Sequence, residues 1–182
     1  MNTKVIAIDG PPNSWKTTLI NDIKQRYWFL NIKVFEETAR EVMCNFPWSE
    51  NNQDMFQDII YHRESERVYQ IKRDISLWIY DLILVDRTSL SWHIFSLFNE
   101  NNWSTTKITP PIFHQIYDSV ILFTDPIWDY KWSVDSFKLY NDSTLSDMFV
   151  EYIYKYDNVI STQNYLISKE IVLEHIENSL AI

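Results

Sequence analysis

The residues Lys4-Val5-Ile6-Ala7-Ile8-Asp9-Gly10-Pro11-Pro12-Asn13-Ser14-Trp15-Lys16-Thr17-Thr18 decide the fold. An apolar, largely β-branched run comes first, a polar loop follows, and an amphipathic helical pattern begins at Thr17. The loop matches G-x-x-x-x-G-K-[ST] at Gly10, Lys16 and Thr17, with Trp15 in place of the second glycine. Such a loop surrounds phosphate groups with main-chain N–H groups at a helix N-terminus. The stretch therefore predicts a strand, a phosphate-binding loop and a helix, and a chance match to a short pattern is the alternative.

The loop residues have expected roles in binding ATP and Mg²⁺. Lys16 is expected to reach the β- and γ-phosphate oxygens, and the Thr17 hydroxyl to bind Mg²⁺. The indole of Trp15 fits only if it points away from the phosphates, and a positive φ there would cost about 1 to 3 kcal/mol. A loop that binds ATP poorly is therefore a second interpretation. The predicted nucleotide contacts are Gly10, Asn13, Ser14, Trp15, Lys16, Thr17 and Thr18.

Charge, hydropathy and cysteine content limit the partners and the compartment. The net charge is −9, which disfavours duplex nucleic acid as a partner because its phosphates select clustered Lys and Arg. No apolar run approaches the ~20 residues of a membrane span, so neither a membrane partner nor a signal peptide is expected. Cys44 is the only cysteine, which excludes an internal disulfide and favours the reducing cytoplasm.

Glycine is the most unusual entry in the composition. The chain has one glycine in 182 residues, where average usage would give about thirteen. Plentiful Ile, Asn and Lys accompany this scarcity, a pattern that indicates AT-rich coding DNA, as in a virus or phage, and hence a host cytoplasm. The retained glycine is Gly10, the first position of the loop, where the backbone turns most tightly.

The rest of the chain predicts alternating strands and helices. Further strands are predicted at residues 33–36, 81–86, 119–124 and 158–161. Helices are predicted at residues 49–79, 91–98, 110–117, 145–156 and 168–180, the last capped by Ser168, with a polar loop at 99–106. Because such alternation builds parallel sheets with right-handed crossovers, we predict an α/β three-layer sandwich of the P-loop NTPase type. Its parallel sheet has about five strands, and one domain spans residues 1–182.

Polar residues end the second and third strands, at the sheet edge where ligands bind in such folds. Asp86 suits a Mg²⁺ ligand, and Arg87 beside it suits a transferred or acceptor phosphate. Glu37 is placed to act as general base, although Asp86 is the alternative, and Arg40 can hold an anionic acceptor. Lys16, Glu37, Asp86 and Arg87 are thus the predicted catalytic residues.

Each of these residues also has a purely structural interpretation. Asp86 and Arg87 can form a surface salt bridge. Glu37 can be a solvated carboxylate at a helix start, favoured by the helix dipole. Arg40 can pair with Glu36 one turn away.

The four histidines lie on separate elements without the spacing of metal ligands.

The order of these motifs resembles the AAA-type P-loop kinase family of the NadR kind. That family includes nicotinamide riboside kinase domains and is similar, more distantly, to deoxynucleoside and thymidylate kinases. The resemblance implies ATP- and Mg²⁺-dependent phosphoryl transfer to a nucleoside, nucleotide or related small metabolite. It assigns the phosphate-loop lysine to Lys16, the Mg²⁺ hydroxyl to Thr17, the acidic residue and arginine after strand two to Glu37 and Arg40, and the strand-three aspartate to Asp86. The segments that carry it are the loop, residues 36–42, residues 53–57, residues 83–87 and residues 120–123 with Trp128.

Two departures from the family pattern keep a second function open. Trp15 replaces a loop glycine, and the lid-like segment at about residues 127–141 contains Lys131 and Lys138 but no arginine. Lid arginines normally neutralise charge on the transferred group. The alternative to an enzyme is therefore a catalytically degenerate, nucleotide-binding regulatory or interaction module. The oligomeric state is left open, with a homodimer among the alternatives.

Overall fold

The sheet is built from five parallel strands. A computed structural model describes residues 2–11, 14–47, 49, 52–100, 116–124, 147–151, 159–162 and 165–180. Within them the strands are β1 (Lys4–Asp9), β2 (Ile32–Phe35), β3 (Leu82–Asp86), β4 (Ser119–Phe123) and β5 (Val159–Thr162). Every pairing is parallel, and the strand order is β2-β3-β1-β4-β5. The predicted α/β fold with a parallel, five-stranded sheet is confirmed.

Helices cover both faces of this sheet. They are α1 (Lys16–Arg26), α2 (Thr38–Asn45), α3 (Gln53–Ser76), α4 (Ser89–Glu100), α5 (147–151) and α6 (Tyr165–Leu180). Alternate strand residues point to opposite faces, so the core has two halves. Helices α2, α3 and α4 pack with Phe149 against Val5, Ala7, Ile83 and Val85. Helices α1 and α6 pack against Ile6, Ile8, Leu82 and Leu84.

Several predicted boundaries differ from the observed ones. Helix α3 begins at Gln53 rather than at residue 49, because the Asn52 side chain caps it by accepting a hydrogen bond from the Met55 N–H at 3.2 Å. Helix α4 runs to Glu100, so the first two residues of the predicted polar loop are helical. The cap assigned to Ser168 is wrong, since α6 begins three residues earlier, where Tyr165, Leu166 and Ile167 extend the apolar pattern.

Some predictions fall on other parts of the chain. The lid-like segment at 127–141, Trp128, residues 101–106 of the predicted polar loop, Asn13 and most of the helix at 110–117 lie outside the described residues. Of the helix predicted at 145–156, residues 147–151 are described and helical. None of the described helices is long and apolar enough to cross a membrane.

Candidate active site

The strand pairing brings the predicted site residues to one edge of the sheet. In the register, Ile8 of β1 lies opposite Asp86 of β3, and Val85 lies opposite Phe35 of β2. The Arg87 N–H continues this pairing by donating to the Ile8 carbonyl oxygen at 2.9 Å. The phosphate loop, Asp86-Arg87 and the start of α2 are therefore neighbours, as the sequence predicts for the carboxyl ends of parallel strands.

Gly10 occupies a position that no other residue can fill. Its φ is +140°, and a Cβ atom there would collide with the Phe123 carbonyl oxygen and lie 3.0 Å from the Phe123 Cβ. Its N–H donates to Asp9 Oδ1 at 2.8 Å. The only glycine of the chain is thus required by both backbone conformation and close packing.

Trp15 precedes α1 without the left-handed backbone that a glycine would favour. Its φ is 5° and its ψ is 10°, its carbonyl oxygen accepts from the Leu19 N–H at 2.9 Å, and the residue is 39% exposed. Trp15 therefore does not have the left-handed backbone that was considered for this position. Thr17 and Thr18 are exposed on the first turn of α1.

The Lys16 side chain is folded against its own loop. Its Nζ donates to the Pro11 carbonyl oxygen at 2.7 Å and to Ser14 Oγ at 3.0 Å, and the residue is buried. Burial, together with the nearby charge of Arg87, lowers the pKa of Lys16 from 10.5 to about 7. The amine must exchange these two hydrogen bonds for phosphate oxygens before it can bind a nucleotide.

Arg87 links the phosphate loop to Glu37, the second residue after β2. Its Nε donates to Glu37 Oε1 at 2.6 Å, and its NH1 donates to the Gly10 carbonyl oxygen at 2.7 Å. Arg87 and Asp86 are both buried, so their interpretation as a surface salt bridge is wrong. Arg40 is exposed, and its NH2 lies 3.5 Å from Glu37 Oε2, so it pairs with Glu37 and not with Glu36.

The two carboxylates of the site have opposite pKa shifts. Burial alone would raise the pKa of Glu37, but the positive charges of Arg87, Lys16 and Arg40 leave it below its ordinary value. Burial raises the pKa of Asp86, and the charges of Lys16 and Arg87 offset this only in part. Glu37 is therefore ionised at neutral pH. At Asp86, the neighbouring positive charges do not fully compensate for the burial of its carboxylate.

Asp86 and Thr17 carry oxygen atoms of the kind that Mg²⁺ binds. Asp86 Oδ1 is buried and has no hydrogen-bond partner among the described residues, and Thr17 offers an exposed hydroxyl. Among the same residues there is no group of three His, Cys, Asp or Glu side chains that could hold a metal alone. Mg²⁺ commonly uses one or two protein ligands plus substrate phosphates and water, which matches this donor set.

Asp9 is an organising residue that the sequence reasoning missed. It is fully buried, and its Oδ2 accepts hydrogen bonds from the Thr88 N–H at 2.9 Å, Thr88 Oγ1 at 2.6 Å and Ser91 Oγ at 2.6 Å. Together with the Gly10 N–H, these bonds fasten the phosphate loop to the start of α4. A carboxylate ending an apolar strand directly before the loop glycine was the available signal.

Glu64 and Arg67 of α3 were missed as well. Both are buried and form an ion pair beneath the site. Glu64 lies four residues after Ile60 and four before Val68, within the apolar stripe of the helix. A charge inside an apolar stripe was the signal that could have identified them.

Comparisons with known proteins agree with this architecture. A family model described as an AAA domain matches residues 5–149. Deoxyadenosine kinase from M. mycoides with bound dATP is 17% identical, with a TM-score of 0.63 over 96% of this chain and 99% of that one. Thymidylate kinase from Candida albicans is 13% identical, with a TM-score of 0.62 over 98% and 92%. Thymidylate kinase from Ehrlichia chaffeensis is 15% identical, with a TM-score of 0.59 over 97% and 99%. No curated protein sequence matches the chain significantly.

These findings confirm the resemblance on which the sequence assignment rests. The matched family model covers the phosphate loop, strands β2 to β4 and all of β1 except Lys4. The two kinds of kinase are the distant relatives expected from the sequence. At these identities the structural likeness shows the fold that the chain shares with them.

Proposed function

The chain belongs to the AAA domain family, and from this premise we propose that it transfers the γ-phosphoryl group of ATP to a small acceptor. The acceptor is a nucleoside, a nucleotide or a related metabolite. The observation that carries the proposal is the position of Arg87, which joins Glu37 at 2.6 Å to the Gly10 carbonyl of the phosphate loop at 2.7 Å. The Arg87 guanidinium thereby holds Glu37, the candidate base, next to the loop that would bind the phosphate donor.

In this proposal the chain positions both reactants and moves one proton. Lys16 leaves its loop contacts to bind the β- and γ-phosphates, and Arg87 faces the transferred group. The bond between the γ-phosphorus and ADP breaks as the acceptor oxygen bonds to that phosphorus, and Glu37 takes the proton of an acceptor hydroxyl. Mg²⁺, held by Thr17 and Asp86, would neutralise charge on the phosphate oxygens.

The acceptor class is proposed from the structural neighbours and from the charges at the rim of the site. The similar structures are a deoxyadenosine kinase and thymidylate kinases, which supports nucleosides and nucleoside monophosphates as the first acceptors to test. Arg40 is exposed beside Glu37 and suits an acceptor that carries a phosphate.

Cys44 is free and exposed, which supports a reducing cytoplasmic location.

A nucleotide-binding module without turnover is the second candidate. Its supporting observation is the state of the loop, in which Lys16 bonds to Pro11 and Ser14 and Trp15 stands at the second glycine position. Such a loop can bind a nucleotide weakly without transferring its phosphoryl group, and the bound nucleotide can then act as a regulatory signal. The two candidates differ in whether any acceptor gains phosphate.

A transfer screen separates the candidates. The protein is incubated with γ-labelled ATP, Mg²⁺ and one acceptor at a time from a panel of nucleosides, nucleoside monophosphates and nicotinamide riboside. We expect at least one labelled product, whose formation requires Lys16 and Glu37. ATP binding without any labelled product favours the module, and the absence of ATP binding contradicts both proposals.

A further inference from the structure

One buried guanidinium contacts the main chain at or next to three of the four candidate catalytic residues, Glu37, Asp86 and Arg87. Arg67 NH1 lies 3.4 Å from the Glu36 carbonyl oxygen and 3.5 Å from that of Asp86, and its NH2 donates to the Arg87 carbonyl at 3.0 Å. Its side chain is 6% exposed. Two of these carbonyls belong to the candidate catalytic residues Asp86 and Arg87. The third belongs to Glu36, which immediately precedes Glu37. A single side chain of α3 thus spans the ends of β2 and β3.

Glu64 fixes this guanidinium in place. It forms an ion pair with Arg67 NH2 and accepts hydrogen bonds from Thr38 Oγ1 and from Trp92 Nε1, the latter at 3.1 Å. A buried charge is stable only when it is paired and hydrogen-bonded. The pair therefore joins α3 to α2 and α4 as well as to the strand ends.

The conformation of Arg87 explains why such a clamp matters. Arg87 has a φ of +76°, an uncommon value for a residue other than glycine, and strained residues persist only when their surroundings hold them. Its N–H is held by Ile8 and its carbonyl oxygen by Arg67. With the backbone fixed in this way, its side chain reaches both Glu37 and Gly10.

We propose that Arg67 is a positioning residue for phosphoryl transfer: by binding the carbonyls of Glu36, Asp86 and Arg87, it aims the Arg87 guanidinium at Glu37 and the phosphate loop. This inference rests on the proposed function. A lysine at this position keeps the charge and the pairing with Glu64, but its single ammonium cannot reproduce the planar fork that reaches three carbonyls. The clamp acts on geometry, so its loss affects turnover more than nucleotide affinity.

The test compares Arg67→Lys with Arg63→Lys. Arg63 lies one turn earlier on the same helix and pairs at the surface with Glu66 at 2.9 Å and Glu41 at 3.8 Å, so it is a matched control. The kcat is divided by the number of ATP sites titrated in each preparation, which removes the effect of misfolded protein. We expect Arg67→Lys to lower this kcat about 10- to 100-fold, as misplacement by about 1 Å does, with the KM for ATP within about threefold. The control stays within twofold, and a normalised kcat within twofold for Arg67→Lys as well overturns the proposal.

A second readout does not depend on activity. The Arg87 Nε–H is buried and bonded to Glu37, so its hydrogen exchange, followed by NMR, should be slow in the wild type and at least tenfold faster in Arg67→Lys. If the wild type phosphorylates no acceptor, the proposed function fails, and this exchange rate alone decides whether Arg67 positions Arg87. Unchanged protection overturns the positioning role. If Arg67→Lys does not fold, the double variant Arg67→Met/Glu64→Gln, which removes both buried charges, replaces it in both measurements.

Discussion

Replacing Lys16 by methionine should stabilise the protein without ligand and remove ATP binding. Lys16 is buried, and its pKa is about 7 in the folded state against 10.5 ordinarily. Between these pH values the unfolded chain binds a proton that the folded chain does not, so this group makes the free energy of unfolding rise with pH. The destabilisation that burial of Lys16 causes is complete below pH 7, and it decreases to zero as the pH rises from 7 to 10.5. Methionine fills similar space without an amine.

The magnitude follows from this linkage and from two hydrogen bonds. Proton linkage at about 1.4 kcal/mol per pH unit gives a penalty of about 4 kcal/mol at pH 7 and about 2 kcal/mol at pH 9. The bonds from Nζ to Pro11 and Ser14, at about 1 kcal/mol each, offset about 2 kcal/mol of that penalty. Lys16→Met should therefore be more stable by about 2 kcal/mol at pH 7, and this advantage should vanish near pH 9.

Denaturant unfolding at pH 7, 8 and 9 without nucleotide measures this difference, and calorimetric titration measures ATP binding. Lys24→Met, which changes an exposed lysine of the same helix, is the control and should show no such pH dependence. A Lys16→Met variant that is less stable at every pH, with a gap that does not change with pH, would refute the reasoning. ATP affinity that survives the substitution undiminished would remove the loop from the proposed site.

Two further substitutions test the metal site and the loop. Asp86→Asn should raise the Mg²⁺ concentration needed for half-maximal transfer about tenfold or more, because the buried oxygen without a partner is lost as a ligand; a Mg²⁺ titration identical to that of the wild type would exclude this ligand. Trp15→Gly should tighten ATP binding at least threefold in calorimetry by letting the backbone approach the phosphates, with little loss of stability because glycine is tolerated before a helix. Wild-type binding as tight as that of the glycine variant would show that the indole is compatible with the nucleotide.

The fold was predictable because each strand has a strong local signal. The runs at β1, β3 and β4 are apolar except at their end residues, as is typical of parallel strands covered on both faces. The edge strand β2 is less buried, and its predicted bounds are shifted by one residue. The error at Ser168 arose because serine favours helix caps only on average, and an apolar pattern extending upstream outweighs that preference.

The sequence predicts the site residues that directly follow strands. It does not predict the residues of other elements that hold those site residues in position. Gly10, Lys16, Glu37 and Arg87 lie together because strand ends meet at one edge. Their actual contacts depend on tertiary geometry, so the partner of Arg87 turned out to be Glu37 and not Asp86. Arg67 falls within the apolar stripe of α3, but its place in that stripe does not show which groups it contacts. Its side chain is buried against three main-chain carbonyl oxygens, and no sequence motif predicts these contacts.

The most direct test of the proposed phosphoryl transfer is a single-turnover measurement with excess protein, γ-labelled ATP, Mg²⁺ and the hydroxyl acceptor found in the screen. Wild type and Glu37→Gln are compared, with Glu36→Gln, an exposed neighbour, as the control. If Glu37 takes the acceptor proton, Glu37→Gln should slow label transfer at least about 100-fold while ATP affinity stays within about twofold, and Glu36→Gln should match the wild type. Equal transfer rates in all three proteins would contradict the role of Glu37, and ATP binding without labelled acceptor in the wild type would contradict the kinase itself.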